Sequence, residues 1–132
     1  MSKNVIITGT SRGIGLELIK LFSNSGFNVL SLSRNITNAE KLNLNNTSFL
    51  PFDITKENDH LLVNKFISKN WKSVDILINN AGLLINKSFQ ETSLDDFNNV
   101  YNTNVFGVAR LIQVCLPFMK KNGQVINISS IG

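Results

Sequence analysis

The run Asn4 to Thr8 (NVIIT), continued without a break by Thr8-Gly9-Thr10-Ser11-Arg12-Gly13-Ile14-Gly15, constrains the fold more than any other stretch of this chain. A short, β-branched, continuously apolar run reads as a strand covered on both faces. The glycines that follow let the backbone turn sharply. Ile14, Leu18, Leu21 and Phe22 then recur at helical spacing until Ser25-Gly26 closes the helix. Such a turn gathers free N–H groups and the positive end of a helix dipole at one point, which suits a phosphate. An ordinary tight turn is the alternative that a glycine trio by itself leaves open.

The same alternation runs through the rest of the sequence. Asn28 to Leu32 reads as a second strand, Thr47 to Phe52 as a third, Val74 to Asn79 as a fourth and Gln124 to Ser129 as a fifth. Pro51 puts the third towards a sheet edge, because proline donates no ladder hydrogen bond. Between them, Arg34 to Asn46 is polar and is either a loop or a weak helix around Ala39 to Leu42, and Lys56 to Asn70 is a helix with Leu62, Val63, Phe66 and Ile67 on one face. From Ser93, a good N-cap with Asp95 and Asp96 in the first turn, a long helix follows. Its stripe is Phe97, Val100, Tyr101, Val105, Val108, Leu111, Ile112, Cys115 and Met119. Strand and helix in alternation predict one α/β domain over residues 1–132, a Rossmann-like parallel sheet of about five strands with helices on both faces. Ligands of such sheets bind outside the carboxyl ends of the strands.

Composition narrows the chemistry. A chain of 132 residues, 42% hydrophobic, fits one core. No apolar run reaches the roughly 20 residues of a membrane helix, and no signal-peptide core follows the first residues, so a cytoplasmic location and no membrane partner are expected. One cysteine, Cys115, and one histidine, His60, leave no ligand set for a metal, and none is expected. Thirteen Lys+Arg against nine Asp+Glu give +4, but the cations are scattered and do not alternate with aromatics, which argues against nucleic acid.

The turn, spaced Thr-Gly-x-x-x-Gly-x-Gly, resembles that of the short-chain dehydrogenase/reductase family. Later stretches agree in order and spacing: Asn79-Asn80-Ala81-Gly82 is similar to that family's NNAG motif, Asn104 falls at its helix asparagine, and Asn127-Ile128-Ser129-Ser130 is similar to the strand carrying its catalytic serine. The resemblance implies a nicotinamide dinucleotide on Gly9, Ser11, Arg12, Gly13, Ile14 and Gly15, and hydride transfer to or from a small carbonyl or alcohol substrate. It makes Ser130 the hydroxyl that bonds the substrate carbonyl, and the Asn104 backbone carbonyl the holder of a water in a proton relay. Residue by residue, plainer readings stand beside these. Asn80, Ala81 and Gly82 either build the turn closing strand four or touch nucleotide. Asp53, with Ile54 beside it, matches the family's adenine contact, and an aspartate before Thr55 equally caps a turn. Asn104 points an amide into the apolar stripe and so needs a partner, which a neighbouring segment could supply. Gly107, one turn on, would admit close approach of another backbone.

Cofactor choice follows from charge. After the second strand, an acid against the ribose 2′-hydroxyl selects NAD, and an arginine accommodates the 2′-phosphate of NADP. This strand ends Leu32-Ser33-Arg34, with no acid, and Arg12 could reach the same phosphate from the glycine turn. NADP(H) is therefore expected in preference to NAD(H), against the alternative that both arginines only decorate the surface.

One family feature is absent. Catalysis in the family needs a tyrosine and, four residues later, a lysine, both beyond the fifth strand. The one tyrosine here is Tyr101, followed at that spacing by Val105, and it precedes Ser130. The chain is thus expected to be a truncated N-terminal portion of a reductase, inactive alone, its fifth strand and long helix uncovered and hidden by self-association or a missing C-terminal segment. The alternative is a non-catalytic NADP-binding module or nucleotide sensor.

Overall fold

The structure is a computed structural model that describes residues 2–129. Five strands form one sheet in the order β3-β2-β1-β4-β5: β1 (Asn4–Thr8), β2 (Asn28–Ser33), β3 (Thr47–Pro51), β4 (Val74–Asn79) and β5 (Met119–Asn127). Every pairing is parallel. The helices are α1 (Gly13–Asn24), the single turn α2 (Thr37–Glu40), α3 (Glu57–Phe66), α4 (Leu94–Tyr101) and α5 (Val108–Cys115).

Strand side chains alternate between faces, and the buried apolar residues divide accordingly into two clusters. Val5, Ile7, Val29 and Ile78 pack with Ile19 of α1 and Ala39 of α2. Ile6, Leu30, Leu32 and Leu77 pack on the other face with Val63 of α3 and Leu111, Val114 and Cys115 of α5. Helices therefore cover both faces, as the alternation of elements requires. Burial pushes the Cys115 thiol up to about 12, so it remains a protonated apolar side chain at neutral pH. Among the described residues no helix is long and apolar enough to cross a membrane.

Several boundaries differ from the sequence expectation for identifiable reasons. In α1 the buried line is Gly15, Ile19 and Ser23, while Ile14 and Leu21 are about 60% exposed. The expected stripe is rotated because Gly15 sits against the first turn so closely that a Cβ there would overlap the Gly9 carbonyl oxygen. That contact fixes which line of the helix faces the sheet. The long helix from Ser93 is not uniform: α4 passes through a π-helical stretch, Asn102–Gly107, into α5, and the helix ends before Pro117 in a short 3₁₀ turn. Met119 consequently belongs to β5. That strand starts earlier than Gln124 because Met119 pairs with Val74, after which Lys120 to Gly123 bulge outward before Gln124 pairs with Ile76. β3 lies at one sheet edge, as Pro51 foretold, and β5 at the other. On β5 Val125 and Ile126 are exposed, as are Tyr101, Val105 and Phe106 along the α4–α5 run.

Ser93 does cap α4. Its hydroxyl accepts from the Asp96 amide, and the Asp96 carboxylate accepts from Lys87 and from the Ser93 amide, the first of which does most to hold that carboxyl below the usual range.

Gly107 is a close junction between the helical layer and the loop after β3. A Cβ there would lie 2.7 Å from Ile54 Cγ1 and 2.8 Å from the Ile54 carbonyl oxygen. Alanine is the better helix former by about 1 kcal/mol, but a backbone carbonyl cannot give way as a flexible side chain can. Gly107→Ala is expected to lower stability by about 1–2 kcal/mol in urea unfolding, whereas an unchanged or raised midpoint would contradict this packing.

Candidate dinucleotide site

The carboxyl ends of β1, β2, β3 and β4 lie along one edge of the sheet, and the turns that leave them carry the residues singled out in the sequence. At the end of β1, Thr8 is fully buried and its hydroxyl accepts two hydrogen bonds from the turn after β4, from the Asn80 amide at 3.0 Å and the Ala81 amide at 2.9 Å. The Asn80 side-chain amide returns a bond to the Gly9 carbonyl oxygen at 3.1 Å. Gly9 has φ +69°, and a Cβ on it would meet the Ala81 nitrogen at 2.8 Å. Two turns from distant parts of the sequence are thereby locked into one unit.

The mouth of α1 opens from this unit. Gly13 has φ +59° and faces open space, with no heavy atom within 4 Å of the position a Cβ would take. Arg12 stands before the first helical residue in an extended conformation and makes no capping bond through its side chain. The first N–H groups of a helix have no intrahelical acceptor, so the donors here, with the dipole behind them, are aimed outward. This cradle fits a phosphate group: its walls admit no side chain at Gly9 or Gly15, and its open side is lined by backbone donors. Ser11 is half-buried, and its carbonyl accepts from the Asn38 side chain at 3.4 Å. Thr10 is buried and accepts from the Ser31 hydroxyl at 2.6 Å, tying the turn to β2.

Along the same edge, Ser33 ends β2 with its hydroxyl donating to the Asn35 carbonyl at 2.9 Å, and Arg34 is exposed beside it. Among the described residues neither Arg12 nor Arg34 makes an ion pair. After β3, Asp53 caps its own turn: one carboxylate oxygen accepts from the Thr55 hydroxyl at 2.6 Å and from the Thr55 amide at 3.0 Å. The Thr55 hydroxyl is the chief cause that holds the Asp53 carboxyl below its ordinary range. Burial opposes it, and the Thr55 amide and the charges of Lys56 and Arg34 assist it. Arg34 is thus near enough to Asp53 to be felt. Ile54 is buried in the core against Gly107, so only its backbone is placed at the sheet edge.

The turn after β4 is held from its far end as well. Asn104, in the π-helical stretch, accepts from the Leu83 amide at 2.8 Å and donates to the Leu83 carbonyl at 2.9 Å, while Gly82 lies between them and Thr8 in the chain. Asn104 is exposed, in contrast to the burial its spacing predicts, and so are its neighbours on the expected stripe, Tyr101 and Val105. Its amide nonetheless has the partner that the sequence demanded, a two-point tie to a neighbouring segment. Asn79 and Asn127 are joined side chain to side chain at 2.9 Å where β4 and β5 end, and the buried Asn79 Oδ1 has no hydrogen-bond partner among the described residues. Ser130, expected to meet a substrate carbonyl, lies outside the described residues. Tyr101 is half exposed at the end of α4. Sequence reasoning passed over the Thr8 hydroxyl, although a threonine closing an otherwise apolar strand is a visible signal. Asn79 entered only as the first residue of the NNAG stretch, with no role of its own.

With this geometry established, comparison decides the family. The family model for short chain dehydrogenases matches residues 3–132. The chain belongs to the short-chain dehydrogenase family. Members of this family are oxidoreductases, and the Gly-rich turn, the NNAG stretch and Asn104 occupy the positions described above. A fatty acyl-CoA reductase of Acinetobacter baylyi is 37% identical over 140 residues, which covers 98% of this chain and 48% of the relative. A short-chain dehydrogenase from Streptomyces avermitilis superposes with a TM-score of 0.91 at 28% identity, over 98% of this chain and 50% of that structure. The structure of ElxO with NADP bound gives a TM-score of 0.86 at 34% identity, over 98% of this chain and 56% of that one. The chain spans about half the length of the curated relatives it matches.

Thr8→Val keeps shape and removes the one acceptor shared by the Asn80 and Ala81 amides. Leaving partly buried donors unpaired costs about 1–3 kcal/mol, so thermal unfolding should show a loss of that size. Stability equal to wild type would mean that the turns are not held together through this hydroxyl.

Proposed function

We propose that this chain is the dinucleotide-binding portion of an NADP(H)-dependent carbonyl reductase or alcohol dehydrogenase. Bound nicotinamide supplies or accepts the hydride, and the residues of this chain bind and orient the dinucleotide. The donors of Gly13, Ile14 and Gly15 receive the pyrophosphate, while Asn80, Ala81 and Gly82 bound the opposite wall. Asp53 and the Ile54 backbone stand where the adenine would lie. Ser33 and Arg34 meet the adenosine ribose, and Arg12 approaches its 2′-phosphate from the other side. Asn104 acts at the nicotinamide end, with Ser130 as the substrate-binding hydroxyl.

The observation that carries the choice of NADP(H) is the pair Arg12 and Arg34, both exposed and free of ion pairs among the described residues, with no acid ending β2. The NADP-bound state of ElxO, a relative in structure and sequence, supports it. Two charge-assisted contacts, each about 1.5–3 kcal/mol before solvent screening, leave after screening roughly a hundredfold preference for the phosphorylated cofactor. The 132 residues hold no tyrosine followed four positions later by lysine, so binding without turnover is the expected behaviour of this chain by itself. The cytoplasm is its proposed location. Its exposed apolar β5 and α4–α5 surfaces favour self-association or cover by a further segment.

Calorimetric titration with NADPH and NADH tests the reading. Wild type should prefer NADPH by roughly a hundredfold, and the double variant Arg12→Ala/Arg34→Ala should lose most of that preference while its NADH affinity changes little. Equal affinities in wild type would refute the cofactor assignment. NADPH-linked turnover of a small carbonyl by the purified chain would refute inactivity.

A further inference from the structure

The carboxyl edge of the sheet carries the candidate site, and the opposite edge carries the excess charge of the molecule. Three segments that meet there are far apart in sequence: residues 2–4 leading into β1, residues 67–75 leading into β4, and residues 116–124, which end the helical run and form the bulge of β5. Hydrogen bonds and strand pairing bring them together. The Asn4 side chain donates to the Ser73 carbonyl at 3.0 Å, and Val74 pairs with Met119. Lys3, Lys69, Lys72, Lys120 and Lys121 are thereby gathered at one end of three neighbouring strands, all exposed and none in an ion pair among the described residues.

The acid within these segments is Asp75, and its carboxylate already accepts from the Asn4 amide at 2.7 Å. Five lysines against one aspartate give this edge a formal charge of +4, equal to that of the whole chain. Thirteen cations less these five, and nine anions less this one, leave eight of each elsewhere. Asp53, Glu57 and Asp59 follow β3, and Glu91, Asp95 and Asp96 follow β4, so the acids concentrate towards the far edge. Local reasons account for some of the lysines. Lys69 stands in the last turn of a helical stretch, where the dipole favours a cation, and lysines on the bulge of an edge strand discourage pairing with another sheet. Neither reason reaches Lys3, and neither separates the lysines from the acids that would balance them.

Apolar side chains share the basic edge. Leu116 is 54% exposed, and Trp71, Phe118 and Met119 are half-buried. We propose that this edge docks on the surface of a bilayer rich in acidic phospholipid. All five charges are lysines, compact point charges on flexible stems, which suit a diffuse anionic layer better than the two-point reading of a single phosphate. Nucleic acid fits less well. The helices reach this edge only by their carboxyl-terminal ends, so none lies across it to enter a groove, and the two aromatic rings of these segments, Trp71 and Phe118, are half-buried and not free to stack on bases. A headgroup layer takes both kinds of side chain, the ammonium groups at its phosphates and Leu116 towards the acyl boundary. The sequence led to no membrane partner because these lysines stand apart along it, and only the fold collects them. Docking through this edge leaves the mouth of α1, at the carboxyl edge, facing away from the lipid.

Sedimentation with vesicles tests the proposal. Wild type should bind vesicles of phosphatidylcholine and phosphatidylserine at about three to one, should not bind vesicles of phosphatidylcholine alone, and should be released as salt rises from about 0.05 to about 0.5 M. Lys120→Gln/Lys121→Gln should bind the acidic vesicles roughly twentyfold more weakly, while Lys20→Gln/Lys41→Gln, with the same loss of charge elsewhere, should differ from wild type by less than about twofold. Trp71 is the only tryptophan, so brominated acyl chains should quench the fluorescence of wild type on acidic vesicles, a reading that needs no variant. Wild type that ignores acidic vesicles, or binds them with Trp71 unquenched, overturns the proposal. Equal loss in the two double variants shows attraction to net charge in place of this edge, and overturns it too. Equal binding to neutral vesicles assigns the contact to apolar surface alone, and tighter binding to an oligonucleotide than to acidic vesicles at the same phosphate concentration assigns the edge to nucleic acid; either result overturns it.

Discussion

The two hydrogen bonds accepted by the Thr8 hydroxyl are the constraint on which the site depends. Thr8 and Ala81 are 73 positions apart in sequence, and the bond between them is what turns a strand end and a distant loop into one wall. The glycines follow from that closeness. Gly9 cannot carry a Cβ because Ala81 occupies the space, and Gly15 cannot because the Gly9 carbonyl does. Only after these contacts are made does the start of α1 stand where its free donors converge on a single open mouth.

The opposite side of the site is set by the helical run that leaves from Ser93. Its π-helical stretch lets one helix do two things that a regular helix could not do together. Asn104 turns outward to grip Leu83 at both backbone atoms, and Gly107 turns inward to rest on Ile54. The loops after β3 and β4 are thereby referred to the same rigid element, which in turn packs Leu111, Val114 and Cys115 into the core. Wider helical turns of this kind recur at functional positions, and here the reason is geometric.

Much of this was legible in the sequence because it depends on local rules. NVIIT and VDILIN are continuous apolar runs and became adjacent central strands, and Pro51 marked an edge. What could not be read locally was set by contacts between distant segments. The face of α1 that meets the sheet is set by the Gly15 approach to Gly9: Leu18 and Phe22 of the expected stripe pack on the core, while Ile14 and Leu21 are turned out. The early start of β5 depends on Met119 reaching Val74, and the π turn at Asn102–Gly107 is announced by no residue pattern. The alternatives for Asp53 and Asn104 were named from sequence, and the structure supplies the plainer partner in each case: Thr55 for one, Leu83 for the other. His60 occupied a buried helical position in register with Val63 and Ile67, yet its partner lies in a loop and so was invisible until the chain was folded.

The whole site turns on whether a dinucleotide pyrophosphate enters the mouth of α1. Titrating NADP⁺ into the ¹⁵N-labelled chain and following backbone amide signals measures this directly. The largest shifts should fall on Arg12 to Gly15, with smaller ones on Asn80 to Gly82 and on Arg34 and Asp53. Unchanged amides at Gly13, Ile14 and Gly15 at saturating ligand, or shifts confined to another face of the sheet, would contradict it.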